Sequence, residues 1–382
     1  MTRLRRIAYL MVIVAAVLYA PLAVNYMWFT VNADAPQWQE AITAAINGGD
    51  YAYRAGSVDS IREVDYLDNS WVMLTHTVLG GLALLLAVHQ LSPRLRHRNL
   101  ARHRWVGRTY FVLMTVSMAT ALVFLLRAGV AHYLGGNGFY LQLWALDLGT
   151  LVTGFMALRA IRRRDLIGHQ SWIYLNFALM MTAPLLRVVW TFLAPAFPDH
   201  VLLDNLDMGA SMLGVIAPGG AAVAMQWTLH SRRAGSTETA SARSYAALGA
   251  AAAAAAAALA LRFGQVDDVI PRGVLYLPLA CSVGYTVICL LGIWRARVAA
   301  DATLELRWRW LAWGAALAPL GVVAVHLATA VLWGSPAGMI GALMVGFTGP
   351  IVVSYVLVAR WIAGRAPSLR EDRLATTAPS AA

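Results

Sequence analysis

The sequence predicts an all-α membrane protein, a polytopic bundle of about ten transmembrane helices. Of its 382 residues, 59% are hydrophobic and 13% are charged, whereas soluble domains carry about 25% charged residues. Apolar runs long enough to cross a hydrocarbon core of about 30 Å recur along the chain. The arginines behind the net charge of +11 cluster in short loops between these runs, as topology signals do.

The apolar runs place the helices in chain order. We expect them at about Ile7–Trp28, Ser70–Leu91, Thr109–Ala131, Tyr140–Ala160, Trp172–Ala194, Gly209–Leu229, Tyr245–Leu261, Gly273–Trp294, Trp308–Leu332 and Gly338–Trp361. The seventh run is alanine-rich and only mildly hydrophobic, so the sequence leaves open whether it crosses fully. The first run could be a signal peptide cleaved near Ala33 or Ala35. Its length and aromatic end favour an uncleaved signal anchor.

Every second loop is basic, which predicts the orientation of the chain. Cytoplasmic loops are enriched in arginine, so we expect a bacterial inner-membrane protein with both termini in the cytoplasm. The basic loops follow the second, fourth, sixth, eighth and tenth runs, as in Arg94–Arg108 and Arg159–Arg164. The long acidic stretch from Val31 to Asn69 is expected to form a small external cap. No basic domain with interleaved aromatics occurs, so nucleic acid is not an expected partner.

The chain is expected to divide into four parts: 1–69, the signal-anchor helix and cap; 70–195, a four-helix unit; 209–333, a second four-helix unit; and 338–382, the last helix and a cytoplasmic tail. A shift of roughly 138 residues lays helices two to five onto helices six to nine. Trp172 then meets Trp310, and Arg187 falls within a residue of His326. This register predicts a tandem parallel repeat, an arrangement that some transporters use.

The stretch from about Trp71 to Pro195 resembles the DUF2306 family of predicted bacterial membrane proteins. The matching segments are HTVLGGLALLLAVHQLSPRLR from His76, HRWVGRTY from His103, RAIRRRDLIGHQSW from Arg159 and LLRVV around Arg187. The resemblance implies a multi-helix membrane region and carries no biochemical role. The sequence departs from the family pattern at Gln170, where arginine is expected, and at His89, where an apolar residue or proline is usual.

Five polar residues lie at a similar depth in the predicted helices, roughly 6–11 Å below the external boundary. They are His76, Arg127, Asp147, Arg187 and His326. Such residues usually face the bundle interior and indicate a functional site. We expect His76, Arg187 and His326 to line one outward-opening cavity, with Asp147 and Arg127 at its edge. Alternatively, Asp147 and Arg187 only neutralise each other, Arg127 snorkels to the surface, and each histidine bridges two helices.

The histidines suggest a cofactor hypothesis. His76 and His89 are thirteen residues apart on one helix, a spacing that suits two stacked b-type haems, each needing an axial partner from another helix. His326 is the candidate partner of His76, and His103 or His169 that of His89. The alternative, which we favour for His89, His103 and His169, is that they lie at the headgroup level as interfacial residues.

Three functional hypotheses follow. The first is a protein with an intramembrane site for an anionic or redox ligand, such as a haem, a quinone or a lipid-like molecule. The second is a secondary transporter that uses the Asp, Arg and His residues. The third is a structural or sensory protein whose external cap carries the function. No Walker A, HExxH, GxSxG or CxxCH motif occurs, so no common ATPase, hydrolase or c-type haem arrangement is indicated.

The arginine asymmetry gives a first testable prediction. A cysteine placed at Gly56 should react with an impermeant thiol reagent added from the periplasmic face, and a cysteine placed at Asn99 should not. Both are placed in a background without Cys281 and Cys289. The opposite labelling pattern would show that the orientation is inverted.

Overall fold

The computed structural model describes residues 3–54, 57, 66–91, 98–129, 136–229, 241–266 and 270–365. Within these ranges the chain is helical with turns and contains no strand. Ten stretches are long and apolar enough to cross a membrane, which confirms the predicted all-α class. The arginines at 94, 96, 232, 233 and 370 and the glycine at 56, on which part of the orientation argument depends, lie outside the described residues.

In the described ranges, fourteen α-helices form the bundle and its cap. They are α1 (Arg3–Asn25), α2 (Trp38–Asn47), α3 (Gly49–Tyr53), α4 (Ser70–Leu91), α5 (Leu100–Ala128), α6 (Gly136–Arg162), α7 (Leu166–Met180), α8 (Thr182–Leu193), α9 (Leu202–Thr228), α10 (Ala242–Phe263), α11 (Gly273–Val298), α12 (Ala302–Trp333), α13 (Ser335–Val345) and α14 (Thr348–Arg365). Short 3₁₀ turns follow α1 at Trp28–Thr30 and α8 at Ala194–Ala196.

Two of the predicted spans are broken helices. The fifth consists of α7 and α8, which meet at Met181. Pro184 explains this break, because proline has no N–H to donate to the carbonyl of Met180. The tenth consists of α13 and α14, with a turn at Gly346 and Phe347 between them. The third span also differs, since it begins at Leu100, where the Asn99 side chain caps it by accepting from the Arg102 backbone N–H at 2.9 Å.

The spans pack around α9, the most deeply buried of the ten. It contacts α7, α8, α11, α13 and α14. Glycine allows these close approaches: a Cβ at Gly214 would lie 2.7 Å from the carbonyl oxygen of Met344 on α13. Among the first three spans, α4 packs closely on both α1 and α5, and the three helices touch the remaining helices at fewer places. A seam therefore separates these three helices from the rest of the bundle.

The tandem repeat is not confirmed, because the two sets of four helices pack in different orders. In the first set, α4 packs mainly against α5, and α6 against α7. In the second set, α10, the counterpart of α5, packs against α12, and α9 packs against α11. The division into two units near residues 195–209 stays a prediction. Helices from both sides of this boundary pack closely together.

The cap residues before position 55 lie across the ends of α8 and α9. Asn47 Nδ2 donates to the Thr191 carbonyl at 2.9 Å, and the Tyr51 hydroxyl donates to the Trp190 carbonyl at 3.0 Å. Asn205 Nδ2 donates to the same hydroxyl at 2.8 Å. Burial raises the pKa of Tyr51, although the bond from Asn205 lowers it, so the hydroxyl keeps the proton that it donates.

Close helix contacts at glycine give a stability prediction. A Cβ at Gly321 of α12 would lie 2.3 Å from the Gly346 carbonyl oxygen, whereas one at Gly284 of α11 meets nothing within 4 Å. Gly321→Ala should lower the free energy of unfolding by roughly 1–3 kcal/mol, as overpacking does. Gly284→Ala should leave it unchanged or raise it by up to about 1 kcal/mol. Apparent melting temperatures in detergent measure the difference, and equal values for the two variants would contradict this packing.

Candidate functional site

A cavity of about 210 Å³ lies within the seam between α1, α4 and α5 on one side and α6 to α9 on the other. Three of the five residues predicted at one depth line it: His76 from α4, Asp147 from α6 and Arg187 from α8. The rest of the wall is mostly apolar, with polar atoms from Tyr19, Tyr26, Tyr66, Gln142, Thr150 and Trp190.

Arg187 is held by aromatic rings. Its guanidinium carbon lies 4.8 Å from the ring centre of Tyr26, 5.3 Å from that of Tyr19 and 5.5 Å from that of Trp190. Nη1 donates to the Ala183 carbonyl at 3.2 Å. Rings at this distance attract a cation through their electron-rich faces. Glu40 of the cap adds a further electrostatic attraction. These rings stabilise the charge, and among the described residues several of the five guanidinium N–H groups have no acceptor.

Asp147 has no hydrogen-bond or ion-pair partner among the described residues. The residue is 4% exposed, and neither carboxylate oxygen has a hydrogen-bond partner in the protein. The ion pair with Arg187 that the sequence suggested is wrong. Both side chains line the cavity, but the guanidinium contacts aromatic rings and the carboxylate pairs with no described residue. An ionised, unpaired carboxylate in hydrocarbon costs several kcal/mol. Asp147 is therefore more stable when its carboxyl carries a proton or contacts a ligand.

The hydrogen bonds of His76 fix its tautomer. Nδ1 lies 2.9 Å from the Ser117 carbonyl oxygen, which can only accept, so Nδ1 carries the proton. The Ser117 hydroxyl donates in return to the His76 carbonyl at 2.8 Å. This arrangement leaves the Nε2 lone pair for the cavity. A Cβ at Gly80, one turn along α4, would lie 3.1 Å from Ser117 Oγ, so the glycine keeps α5 close enough to orient the ring.

Both ends of the cavity are closed. Toward the cap, the Tyr66 ring lies 6.4 Å from that of Tyr26 and 5.3 Å from that of Phe124. Toward the opposite end, the Tyr110 hydroxyl donates to Asn176, whose Nδ2 donates to the Thr150 carbonyl at 2.8 Å. The cavity thus lies between an aromatic layer and a buried polar network.

His326 lies elsewhere, so the prediction that it shares this cavity is wrong. It is fully buried between α12 and α13. Nδ1 accepts from Arg262 Nε at 3.3 Å, and Nε2 lies 3.0 Å from the Ser335 carbonyl oxygen, to which it donates. Both ring nitrogens are therefore used. Its depth matches that of His76, but its helix packs in the other half of the bundle.

Arg127 is also outside the cavity. It is exposed at the end of α5, where Nη1 lies 3.5 Å from Asn69 Oδ1. This placement fits the alternative in which the side chain snorkels to the membrane surface.

The remaining histidines lie near the opposite end of the bundle. His169 Nδ1 is bonded to the Ala157 carbonyl at 3.0 Å, and the His103 carbonyl accepts from Gln90 Nε2 at 3.0 Å. The His89 ring nitrogens are buried without a hydrogen-bond partner among the described residues. No group of three or more metal-ligating side chains occurs in the described ranges.

The cavity residues do not suit a bis-histidine haem. His76 is the one histidine among the described residues that line it, and each such haem iron needs two axial ligands. The volume of about 210 Å³ is also below the roughly 300–1,000 Å³ of pockets for drug-sized ligands.

Sequence reasoning missed the aromatic cage. Tyr19 and Tyr26 are seven residues apart on α1 and its end, a spacing that puts two side chains on one helix face. Trp190 follows Arg187 by three residues, which also gives a shared face. These spacings were visible in the sequence, but only the packing of α1 against α8 brings both sets to the same guanidinium.

The lone Asp147 gives a testable prediction. Asp147→Asn should leave the free energy of unfolding within about 0.5 kcal/mol of the parent or raise it, because an unpaired carboxyl is replaced by a neutral amide. Arg187→Gln should lower it by about 1–2 kcal/mol through the lost ring contacts. The double variant should equal the sum within about 0.5 kcal/mol. A larger coupling energy in the double-mutant cycle would show that the two charges pair.

Comparison with known proteins gives one family. Residues 73–219, less than half of the chain, match the family described as predicted membrane protein (DUF2306). No curated protein and no solved structure matches the chain. The matched region continues past the expected end near Pro195 into α9, and it contains His76, Asp147 and Arg187. This region, which is similar to the DUF2306 family of predicted membrane proteins, supplies the lining of the cavity apart from Tyr19, Ala23, Tyr26 and Tyr66.

Proposed function

We propose that this membrane protein binds an amphiphile, a molecule with an anionic oxygen head and an apolar body, in the Arg187 cavity. The observation that carries the proposal is the state of Arg187: among the described residues, its guanidinium forms no ion pair with a carboxylate and donates one hydrogen bond, to Ala183. Arginine N–H groups match carboxylate and phosphate oxygens in pairs.

The other cavity groups fit the same ligand. The mostly apolar wall, which includes Phe124 and Phe139, suits the body of an amphiphile. An ionised Asp147 would repel an anion, so in this proposal Asp147 is protonated and offers an O–H to the head. The Nε2 lone pair of His76 accepts a hydrogen bond, or a proton if the head arrives as an acid.

The orientation belongs to the same proposal. With the acidic cap outside and the arginine-rich loops inside, the protein lies in the bacterial inner membrane with both termini in the cytoplasm. The cavity then lies in the outer half of the bilayer. The lipid bilayer is its environment, and the bound amphiphile its small-molecule partner.

The other hypotheses have less support. The haem hypothesis lacks a second histidine at the cavity. The transporter hypothesis depended on the tandem repeat, which the packing order does not support. A quinone presents neutral carbonyl oxygens and would leave the charge of Arg187 without an anion, so it serves as a comparison in the experiment.

Equilibrium binding of radiolabelled decanoate to the purified protein in detergent tests the proposal. Arg187→Gln should weaken decanoate binding by about tenfold or more, the effect of losing a charge-assisted hydrogen bond. Arg127→Gln makes the same chemical change outside the cavity and should bind as the parent does. Asp147→Asn should also retain binding, because the amide resembles a neutral acid.

The comparison ligands identify the recognised head. Decanol should compete poorly with decanoate, since it has the chain without the charge. Two results would contradict the proposal: equal binding by the Arg187→Gln and Arg127→Gln variants, or a decyl-benzoquinone that displaces decanoate at far lower concentration than decanoate itself.

A further inference from the structure

We infer that the ligand reaches the cavity sideways from the bilayer, between α1 and α8, and is therefore a membrane-dissolved anionic lipid or long-chain fatty acid. This inference rests on the proposed function, because it names the source and class of the amphiphile that Arg187 binds. The inference rests on which sides of the cavity are covered by side chains and which side is exposed.

On the side of the cap, described aromatic side chains cover the cavity. Tyr26, Tyr66 and Phe124 are each at most 7% exposed and form the aromatic layer over the cavity. Above it, the hydrogen bonds from Asn47 and Tyr51 fasten the cap to the carbonyls of α8. An anion from the aqueous phase would have to separate both layers.

The path from the opposite face is blocked as well. Asn176 is fully buried, and its amide bridges the Thr150 carbonyl and the Thr153 hydroxyl at 2.8 and 3.1 Å. The Tyr110 hydroxyl, also buried, contacts Met180 Sδ at 3.1 Å. Thr150 and Met180 line the cavity, so this network lies directly against its floor.

The cavity wall is least covered at α8, beside α1, because Ala183 is the one exposed residue among the described residues that line it. Ala183 lines the cavity and is exposed, and Arg187, one turn further along α8, is half-buried. α1 packs tightly on α4, where a Cβ at Gly81 would lie 3.0 Å from the Ala20 carbonyl oxygen, but contacts α8 at few places. Across this interface, the Arg187 guanidinium carbon lies 5.3 Å from the ring centre of Tyr19. The opening is thus bordered by the group that would bind the ligand head.

The depth of this opening decides the phase that it faces. Ala183 lies thirteen residues before Ala196 and seventeen after Leu166, the two ends of the span, which is about 20 Å and about 25 Å of helix. The neighbouring outer surface is apolar, with Val188 and Phe192 exposed by 49% and 65%. The opening therefore faces hydrocarbon. A cavity of about 210 Å³ holds the head and a short part of a chain, and the remaining chain extends through the opening into the bilayer.

The experiment uses the full chain in phosphatidylcholine nanodiscs that contain radiolabelled palmitate. The rate at which bound palmitate exchanges with unlabelled palmitate in the same bilayer is measured. Ala183→Trp, which places a large side chain at the opening, should slow the exchange at least tenfold. Ala183→Leu should slow it less, and gives the test if the tryptophan variant does not fold. Ala145→Trp is the matched control, because Ala145 is exposed on α6 and does not line the cavity.

A second arm distinguishes the bilayer from water as the source. Butyrate, a water-soluble carboxylate with the same head, should not displace palmitate at concentrations where oleate does. Parent-like exchange in both Ala183 variants, or displacement by butyrate as effective as that by oleate, would overturn lateral access. If Arg187→Gln loses palmitate while the Ala183 variants exchange normally, only the route is wrong. If Arg187→Gln binds palmitate normally, the proposed function fails.

Discussion

A guanidinium buried in a lipid-embedded bundle needs compensation from its surroundings, and Arg187 shows how the first half of this protein is organised around that need. Its rings come from two helices that otherwise contact each other at few places: Tyr19 from α1 and Trp190 from α8, with Tyr26 just beyond α1. The Trp190 carbonyl in turn accepts from Tyr51 of the cap. One charged side chain therefore links the first helix, the broken fifth span and the cap.

The polar residues at the cavity differ from two buried polar residues of the second half in whether they have hydrogen-bond partners. In the second half, Glu305 accepts from Tyr245 at 2.6 Å and pairs with Arg297 at 3.2 Å, and His326 uses both nitrogens. At the cavity, Asp147 has no partner among the described residues, and the His76 tautomer leaves one nitrogen for a ligand. Paired groups stabilise packing, whereas unpaired groups that share one cavity are the arrangement a ligand site needs.

The seam between α1, α4, α5 and the other helices is where such a site can form. Helices in lipid gain little from burying apolar surface against one another, so close packing depends on small residues. Gly81 allows close packing between α4 and α1, and Gly321 allows close packing between α12 and the turn at Gly346. Fewer close contacts cross the seam, and the space that remains is the cavity.

The sequence by itself determined the number of spans, their approximate ends and the depth of each polar residue, because the cost of placing a residue in hydrocarbon depends mainly on its own type and its distance along the helix. It also predicted that His76, Asp147 and Arg187 belong to membrane segments of one region resembling DUF2306. It could not determine which helix faces meet. In α4, α7 and α12 the apolar residues are spread around the helix, so no stripe identifies an inner face. His326 has the same depth as His76, yet only the tertiary packing decided that it lies in the other half of the bundle. The packing likewise decided that aromatic rings hold Arg187 while Asp147 stays alone, because contacts between residues far apart in the chain depend on how whole helices fit together.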